Sequence, residues 1–291
     1  MRKTEGNRPK TQSLPSSQLE AVARGNSLQS GSGLKTVPYI PRLALNTMLA
    51  KRYELKYRIS EPTACAVKGF VSAFLGLDPY SRIRPDGQYP ICSLYLDSRR
   101  FDLFHETQLD KCNRFKLRIR TYDDEPQGPV YFEIKRKLNR IIYKSRARAS
   151  KDRIGDILRG HYIPPEATEA DRAALRQFVH YAQCLMARPV VLVRYMREAF
   201  ENRTDTRVRV TFDRQLNYQV MDKPVIKLNG PGWRRLPINF VVLEIKFTEQ
   251  FPSWLTDMVR LFELNRQSMS KYCQSVRYIV PRGTEFPLSS L

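Results

Sequence analysis

An α+β fold is predicted, in which an antiparallel sheet of about eight strands curls into a barrel with a polar, basic lumen and helices packed outside. Three observations predict it. At least six segments alternate apolar and charged residues with period two, the pattern of strands with one buried face. The charged positions in them are dominated by Arg and Lys, where a solvated sheet face usually mixes Thr, Ser, Gln, Lys and Glu. Segments with helical spacing at 62–75, 150–185 and 253–264 supply cover for the apolar faces. Like charges opposed on neighbouring strands destabilise a sheet, so such a face is tolerable when the strands converge on a bound polyanion.

The elements follow in order. "KRYELKYRIS" sets Tyr53, Leu55, Tyr57 and Ile59 against Arg52, Glu54, Lys56 and Arg58, a strand. "EPTACAVKGFVSAFLGL" has Pro62 early and apolar residues at helical spacing, so it is a helix. "YPICSLYLDS" is the next strand, and a short helix near Phe101–Leu109 leads into "FKLRIRTY", with a base at every second position. "PVYFEIKRK" and "RIIYKSRARA" are strands joined by a tight turn at Leu138-Asn139. Residues 150–187 read as helices broken by the loop "HYIPPEAT". "PVVLVRYMREAFE" and "TRVRVTFDRQL" are strands joined by the polar turn "NRTD". "NGPGWRR" reads as a plain turn, and "NFVVLEIKF" as a strand with Pro237 at its start. "PSWLTDMVRLFEL" and "SMSKYCQSVRYI" close the list as helices.

The 291 residues carry a net charge of +21 and a pI of about 10.0. That balance calls for a polyanionic partner: nucleic acid, an anionic membrane surface or a phosphate-rich small molecule. Residues 1–48, rich in Ser, Gly, Pro and Gln, read as a flexible basic tail; residues 49–280 form the folded domain, and 281–291 a second tail. Only +5 of the charge lies in the first tail, so the folded part is itself strongly basic. Five scattered cysteines without a CxxC pair read as free thiols in a reducing compartment. With no apolar signal segment and no run of eighteen apolar residues, the expectation is a soluble cytoplasmic protein.

The carboxylates narrow the partner. Glu54, Glu133 and Glu244 stand in "ELK", "EIK" and "EIK", each sharing a strand face with a lysine. Divalent cations need hard oxygen ligands and phosphate chains need Arg and Lys, so a site for metal-bound triphosphate wants both. A nucleic-acid platform would want exposed aromatics and few acids. Here most aromatics share the apolar faces, which argues against nucleic acid.

Nine motifs in order, "RYELKY", "SLYLDS", "KLRIRTY", "YFEIKRK", "YKSRAR", "VRYMREAFE", "RVRVTFD", "VLEIKF" and "SMSKY", make the chain resemble the VTC-type polyphosphate polymerase domain of the CYTH/triphosphate tunnel metalloenzyme superfamily. The resemblance runs from about Arg52 to Tyr278. It implies an eight-stranded tunnel that binds ATP and a divalent metal, Mn²⁺ or Mg²⁺, and passes the γ-phosphoryl group to a growing polyphosphate chain. By motif position it assigns phosphate contacts to Lys56, Arg118, Arg120, Lys135, Lys144, Arg197, Arg209 and Lys271, a hydroxyl donor to Ser270, and the metal to Glu244, with Glu54 and Glu133 beside it. Lys144, Arg146 and Arg148 are alternatives for the family's second lysine position. Arg52 stands where the superfamily's ExExK signature has its first Glu, which weighs against two-metal hydrolysis. Membrane-associated members imply a membrane-protein partner and a peripheral place at the inner face of a membrane. The same lumen also suits a tunnel triphosphatase, or a non-catalytic module that binds polyphosphate or inositol phosphates. His105, His161 and His180 fall outside the charged strands and read as structural or surface residues.

Overall fold

The structure, a computed structural model, describes residues 52–139, 141–202, 207–267 and 269–279. The predicted tails at 1–48 and 281–291 lie outside these, as does most of the "NRTD" turn. The element order is β1 (Arg52–Ile59), α1 (Glu61–Ser72), β2 (Gly76–Leu77), α2 (Pro79–Arg82), β3 (Tyr89–Asp97), α3 (Asp102–Gln108), β4 (Asn113–Thr121), β5 (Pro129–Leu138) and β6 (Ile141–Ser150). Then come α4 (Ile154–Leu158), α5 (Glu169–Cys184), β7 (Arg188–Glu201), β8 (Val208–Val220), β9 (Arg234–Arg235), β10 (Val241–Thr248), α6 (Ser253–Leu261) and α7 (Lys271–Val276).

Eight strands form one antiparallel sheet in the order β1-β10-β8-β7-β3-β4-β5-β6, with β2 and β9 as short additions on β7 and β8. The alternation that marked each strand holds, because one face of the sheet is apolar throughout. The register sets charge beside charge on the other: Lys116, Lys135 and Lys144 lie abreast on β4, β5 and β6, and Arg118 and Arg146 flank Glu133. Irregular pairing near Tyr95/Leu96 and Arg194/Met196 bends the long central strands.

The sheet curls far enough for a side chain on β5 to reach β1, since Lys135 Nζ lies 2.9 Å from Glu54 Oε2. Backbone hydrogen bonds do not complete the cylinder: among the described residues no ladder joins β1 to β6. Two smaller departures have local causes. The last long strand starts at Val241 and not beside Pro237, whose missing N–H suits residues outside a ladder. "NGPGWRR" is more than a turn, because Arg234 and Arg235 pair with Tyr218 and Asn217.

Three apolar clusters lie between the sheet and its helices. Phe132 meets Phe178 of α5 edge-on at 5.1 Å, and Phe115 meets Tyr181 at 4.8 Å. Tyr95 stacks on Tyr272 of α7 at 5.0 Å. Val67 and Val71 of α1 pack with Leu255 and Met258 of α6 against Leu243 and Ile245. Side-chain caps start the helices: Ser60 accepts from Thr63 N at 3.2 Å and Thr168 from Asp171 N at 3.1 Å. All five cysteines are free thiols. No helix among the described residues is long and apolar enough to cross a membrane.

Candidate active site

The curled charged face encloses a cavity of about 400 Å³. Eleven Lys and Arg side chains line it against two carboxylates, Glu54 and Glu244. Of the residues singled out from the sequence, Glu54, Lys56, Arg118, Arg120, Lys135, Arg197, Glu244, Ser270 and Lys271 are brought together there.

The register explains how two carboxylates survive among so many cations. Glu244 sits directly opposite Lys56 across β10 and β1. Lys56 Nζ lies 2.7 Å from Glu54 Oε1 and 3.5 Å from Glu244 Oε2, and Lys246 Nζ lies 2.6 Å from Glu244 Oε1. Burial and the adjacent Glu244 push Glu54 up, but Lys56, Lys135 and Lys246 outweigh both and hold it at about 2. Glu244 is likewise held well below the usual carboxylate range, against its burial, by Lys246, Lys56, Arg197 and Lys271. Both carboxylates are therefore anionic at neutral pH.

A second unit stands on the neighbouring wall. Arg197 holds buried Asp213 through two hydrogen bonds, Nε to Oδ1 at 2.6 Å and Nη2 to Oδ2 at 2.8 Å. Lys271 Nζ reaches the same Oδ2 at 2.6 Å and lies 4.6 Å from the centroid of the Tyr195 ring. Ser270 Oγ accepts from Lys116 Nζ at 2.7 Å and from Cys273 N at 3.3 Å. With both lone pairs used, its own proton is left to donate.

Four predicted residues do not line the cavity. Glu133 is fully buried on the charged face of the sheet, with Arg118 Nε at 2.7 Å, Lys144 Nζ at 2.6 Å, Arg146 Nε at 3.5 Å and Arg120 Nε at 4.0 Å. It is the counter-ion of the basic wall, whereas the sequence had set it beside the metal. Lys144 and Arg146 pair with that same carboxylate. Arg209 turns to Asp78 at 2.6 Å and to Glu201 at 2.5 Å.

Sequence reasoning missed other residues. Lys116, Arg114, Lys137, Lys246 and Arg266 line the cavity, and so do Tyr95 and Tyr195. The charge alternation of β4 and β10 was the available signal for Lys116 and Lys246. Tyr95 stood inside an apolar run and gave none. Its phenol is held below the usual range, despite burial, by the charges of Arg118 and Arg120 and a hydrogen bond from Arg118. None of the three histidines lines the cavity.

Glu54 and Glu244 are the carboxylates that line the cavity. No group of three or more His, Cys, Asp or Glu side chains able to hold a metal occurs among the described residues. A hard divalent cation bound with substrate phosphates needs only one or two carboxylates and keeps several waters. The donor set fits Mg²⁺ or Mn²⁺ held that way.

The VTC domain family matches residues 51–280. The chain belongs to that family. Solved structures similar to this VTC domain are distant in sequence. A candidate adenylate cyclase from Bacillus halodurans is 13% identical with a TM-score of 0.43, over 76% of this chain and 95% of that one. Another from Vibrio parahaemolyticus is 14% identical with a TM-score of 0.38, over 77% and 97%. A protein from Pyrococcus horikoshii is 12% identical with a TM-score of 0.38, over 78% and 96%. No curated protein matches the chain.

The cavity cations are not equivalent in charge. Burial and repulsion from Lys56 bring Lys135 down to about 8, although Glu54 and Glu244 pull it up. A bound phosphate chain favours the charged amine and raises that value. Well below pH 8 the amine is charged whether the cavity is empty or filled, so this group adds no pH dependence there. Above about pH 8 only the filled cavity keeps the proton, so affinity falls as pH rises. Inorganic triphosphate titrated calorimetrically in metal-free buffer is expected to weaken by up to about tenfold per pH unit over this range. Lys135→Arg should flatten the profile; an unchanged slope in that variant would assign the titration elsewhere.

Proposed function

We propose that this VTC domain is an ATP-dependent polyphosphate polymerase, working with Mn²⁺ or Mg²⁺. The observation that carries the reading is the cavity wall, eleven cations against two carboxylates on the inner face of a curled sheet. So many like charges are costly to hold together, and a phosphate chain recovers that cost as binding free energy.

The chemistry asks little of the protein beyond position and charge. The terminal oxygen of the polyphosphate chain attacks the γ-phosphorus, the bond to the β,γ-bridging oxygen breaks, and ADP leaves. The attacking oxygen is already ionised, so no general base is required, in keeping with a cavity that no histidine lines. Arg118, Arg120, Arg197 and Lys271 hold donor and acceptor phosphates in line and neutralise charge on the transferring group. Ser270 donates its proton to a phosphate oxygen. A divalent cation, when bound at Glu54 and Glu244, adds Lewis-acid charge neutralisation at the phosphate oxygens. Lys56 and Lys246 hold those two carboxylates ionised.

Purified protein incubated with ATP and Mn²⁺ is expected to give a ladder of polyphosphate on a stained gel. Glu244→Ala should remove the ladder, with a loss of at least about 100-fold in rate. Free phosphate without a ladder would make the domain a tunnel triphosphatase. Intact ATP together with polyphosphate binding that Glu244→Ala leaves unaltered would make it a binding module.

A further inference from the structure

Past the end of β4, beside the cationic wall of the cavity, four tyrosines gather. Arg120 belongs to the cavity wall and also hydrogen-bonds to Tyr122, which lies just past the end of β4. Tyr122 is stacked on Tyr80, with ring centroids 6.0 Å apart and planes 11° from parallel. Tyr89 lies 5.6 Å from Tyr80 and 6.4 Å from Tyr122, and Tyr131 meets Tyr122 edge-on at 5.8 Å. The Arg146 guanidinium covers Tyr131 at 3.7 Å. Four aromatic rings and two guanidinium groups thus adjoin the phosphate cavity through a shared residue.

The outermost ring is presented by a rigid mount. Tyr80 is 56% exposed, yet the short helix α2 that carries it is pinned by buried groups. Asp78, fully buried, accepts from Ser81 N at 2.7 Å, Tyr89 Oη at 3.2 Å and Arg209 Nη2 at 2.6 Å. Ser81 Oγ, also buried, accepts from Ala199 N at 3.0 Å. An exposed aromatic needs no such anchoring for solubility or packing. A stacking platform does, because a ring fixed in advance costs little entropy when a planar ligand lands on it.

We infer that Tyr80, backed by Tyr122, is a nucleobase platform at the Arg120 end of the cavity, and that it makes the site select nucleoside triphosphates over inorganic triphosphate. The inference rests on the reading of the cavity as a triphosphate site. It adds an orientation: the nucleoside stays at this end with its base on Tyr80, and the phosphates point inward from Arg120 toward Lys56 and Glu244. Arg209, which the sequence placed among the phosphate contacts, then acts from behind as a positioning residue, fixing Asp78 and through it α2.

Binding separates this inference from the polymerase reading, because it needs no turnover. ATP and inorganic triphosphate are titrated calorimetrically into wild-type protein, Tyr80→Ala and Tyr80→Trp at one fixed Mg²⁺ concentration. Tyr80→Ala is expected to weaken ATP about tenfold, near the low end for loss of one base–aromatic stack, and to leave inorganic triphosphate within about twofold. Tyr80→Trp should keep or tighten ATP binding. Equal losses for both ligands in Tyr80→Ala, or no loss for either, would overturn the platform and leave the cavity reading intact. Wild-type protein that binds neither ligand would remove both. Binding in the expected pattern without any polyphosphate product would keep the platform and end the polymerase reading.

Discussion

Glu133→Gln is expected to lose about 3–5 kcal/mol of stability, the usual cost of stripping one partner from a buried charge pair. In a domain of this size that lowers the melting temperature by roughly 10 °C. The carboxylate is fully buried, with four cations gathered on its two oxygens. Arg118, Arg120 and Lys144 hold it far below the usual carboxylate range in spite of its burial. The amide keeps the shape and drops the charge, leaving Arg118, Arg120, Lys144 and Arg146 to repel one another. A phosphate chain can replace part of the missing negative charge, so inorganic triphosphate should raise the melting temperature of the variant by more than it raises that of the wild type. Thermal melts with and without triphosphate measure both effects. A variant that melts like the wild type would mean the four cations are adequately solvated without Glu133.

The second large effect is on turnover. Arg197→Ala should lower kcat/KM by about 10³, at the upper end for loss of one preorganised donor to a developing negative charge. Two causes add. The guanidinium no longer neutralises the transferring phosphoryl group, and Asp213 is left with Lys271 as its remaining close cation, so that it repels phosphate oxygens. The double variant Arg197→Ala/Asp213→Asn separates them, since it removes the undercompensated carboxylate as well. It should recover part of the loss, a coupling that a double-mutant cycle reads directly. If the double variant is as slow as the single one, the repulsion plays no part.

How much of this was legible in the sequence depends on the range of the interaction concerned. Strand faces were readable because alternation is local: Lys116, Arg118 and Arg120 had to share a side of β4 whatever lay beside it. What lay beside it was not readable, and "EIK" shows why. The same tripeptide at Glu133 and Glu244 suggested the same role for both. In the fold Glu133 is flanked by Arg118 and Arg146 and becomes a buried counter-ion. Glu244 is flanked by Lys56 and Thr211 and faces the cavity. Sheet order is a long-range property, so one motif acquired two fates. The tyrosines at the far end escaped for the same reason: Tyr80, Tyr89, Tyr122 and Tyr131 come from four separate segments that only the topology collects. Cavity residues near the recognised motifs, such as Ser270 and Lys271 at the start of α7, were legible through the resemblance and not through any periodicity.

The gap between β1 and β6 has a bearing on how the protein keeps company with itself. A sheet that stops short of closing has two borders. That of β1 is partly covered, since Tyr57 bridges to Arg266 and Lys56 O accepts from Gln267 N at 2.9 Å. An uncovered border is a template on which another chain can add a strand. The β6 border carries Lys144, Arg146 and Arg148, all exposed at intervals of two. Approaching copies meet a fence of like charge there before any backbone groups can pair. The cations of β6 therefore discourage strand addition at that border, while Lys144 and Arg146 also neutralise Glu133.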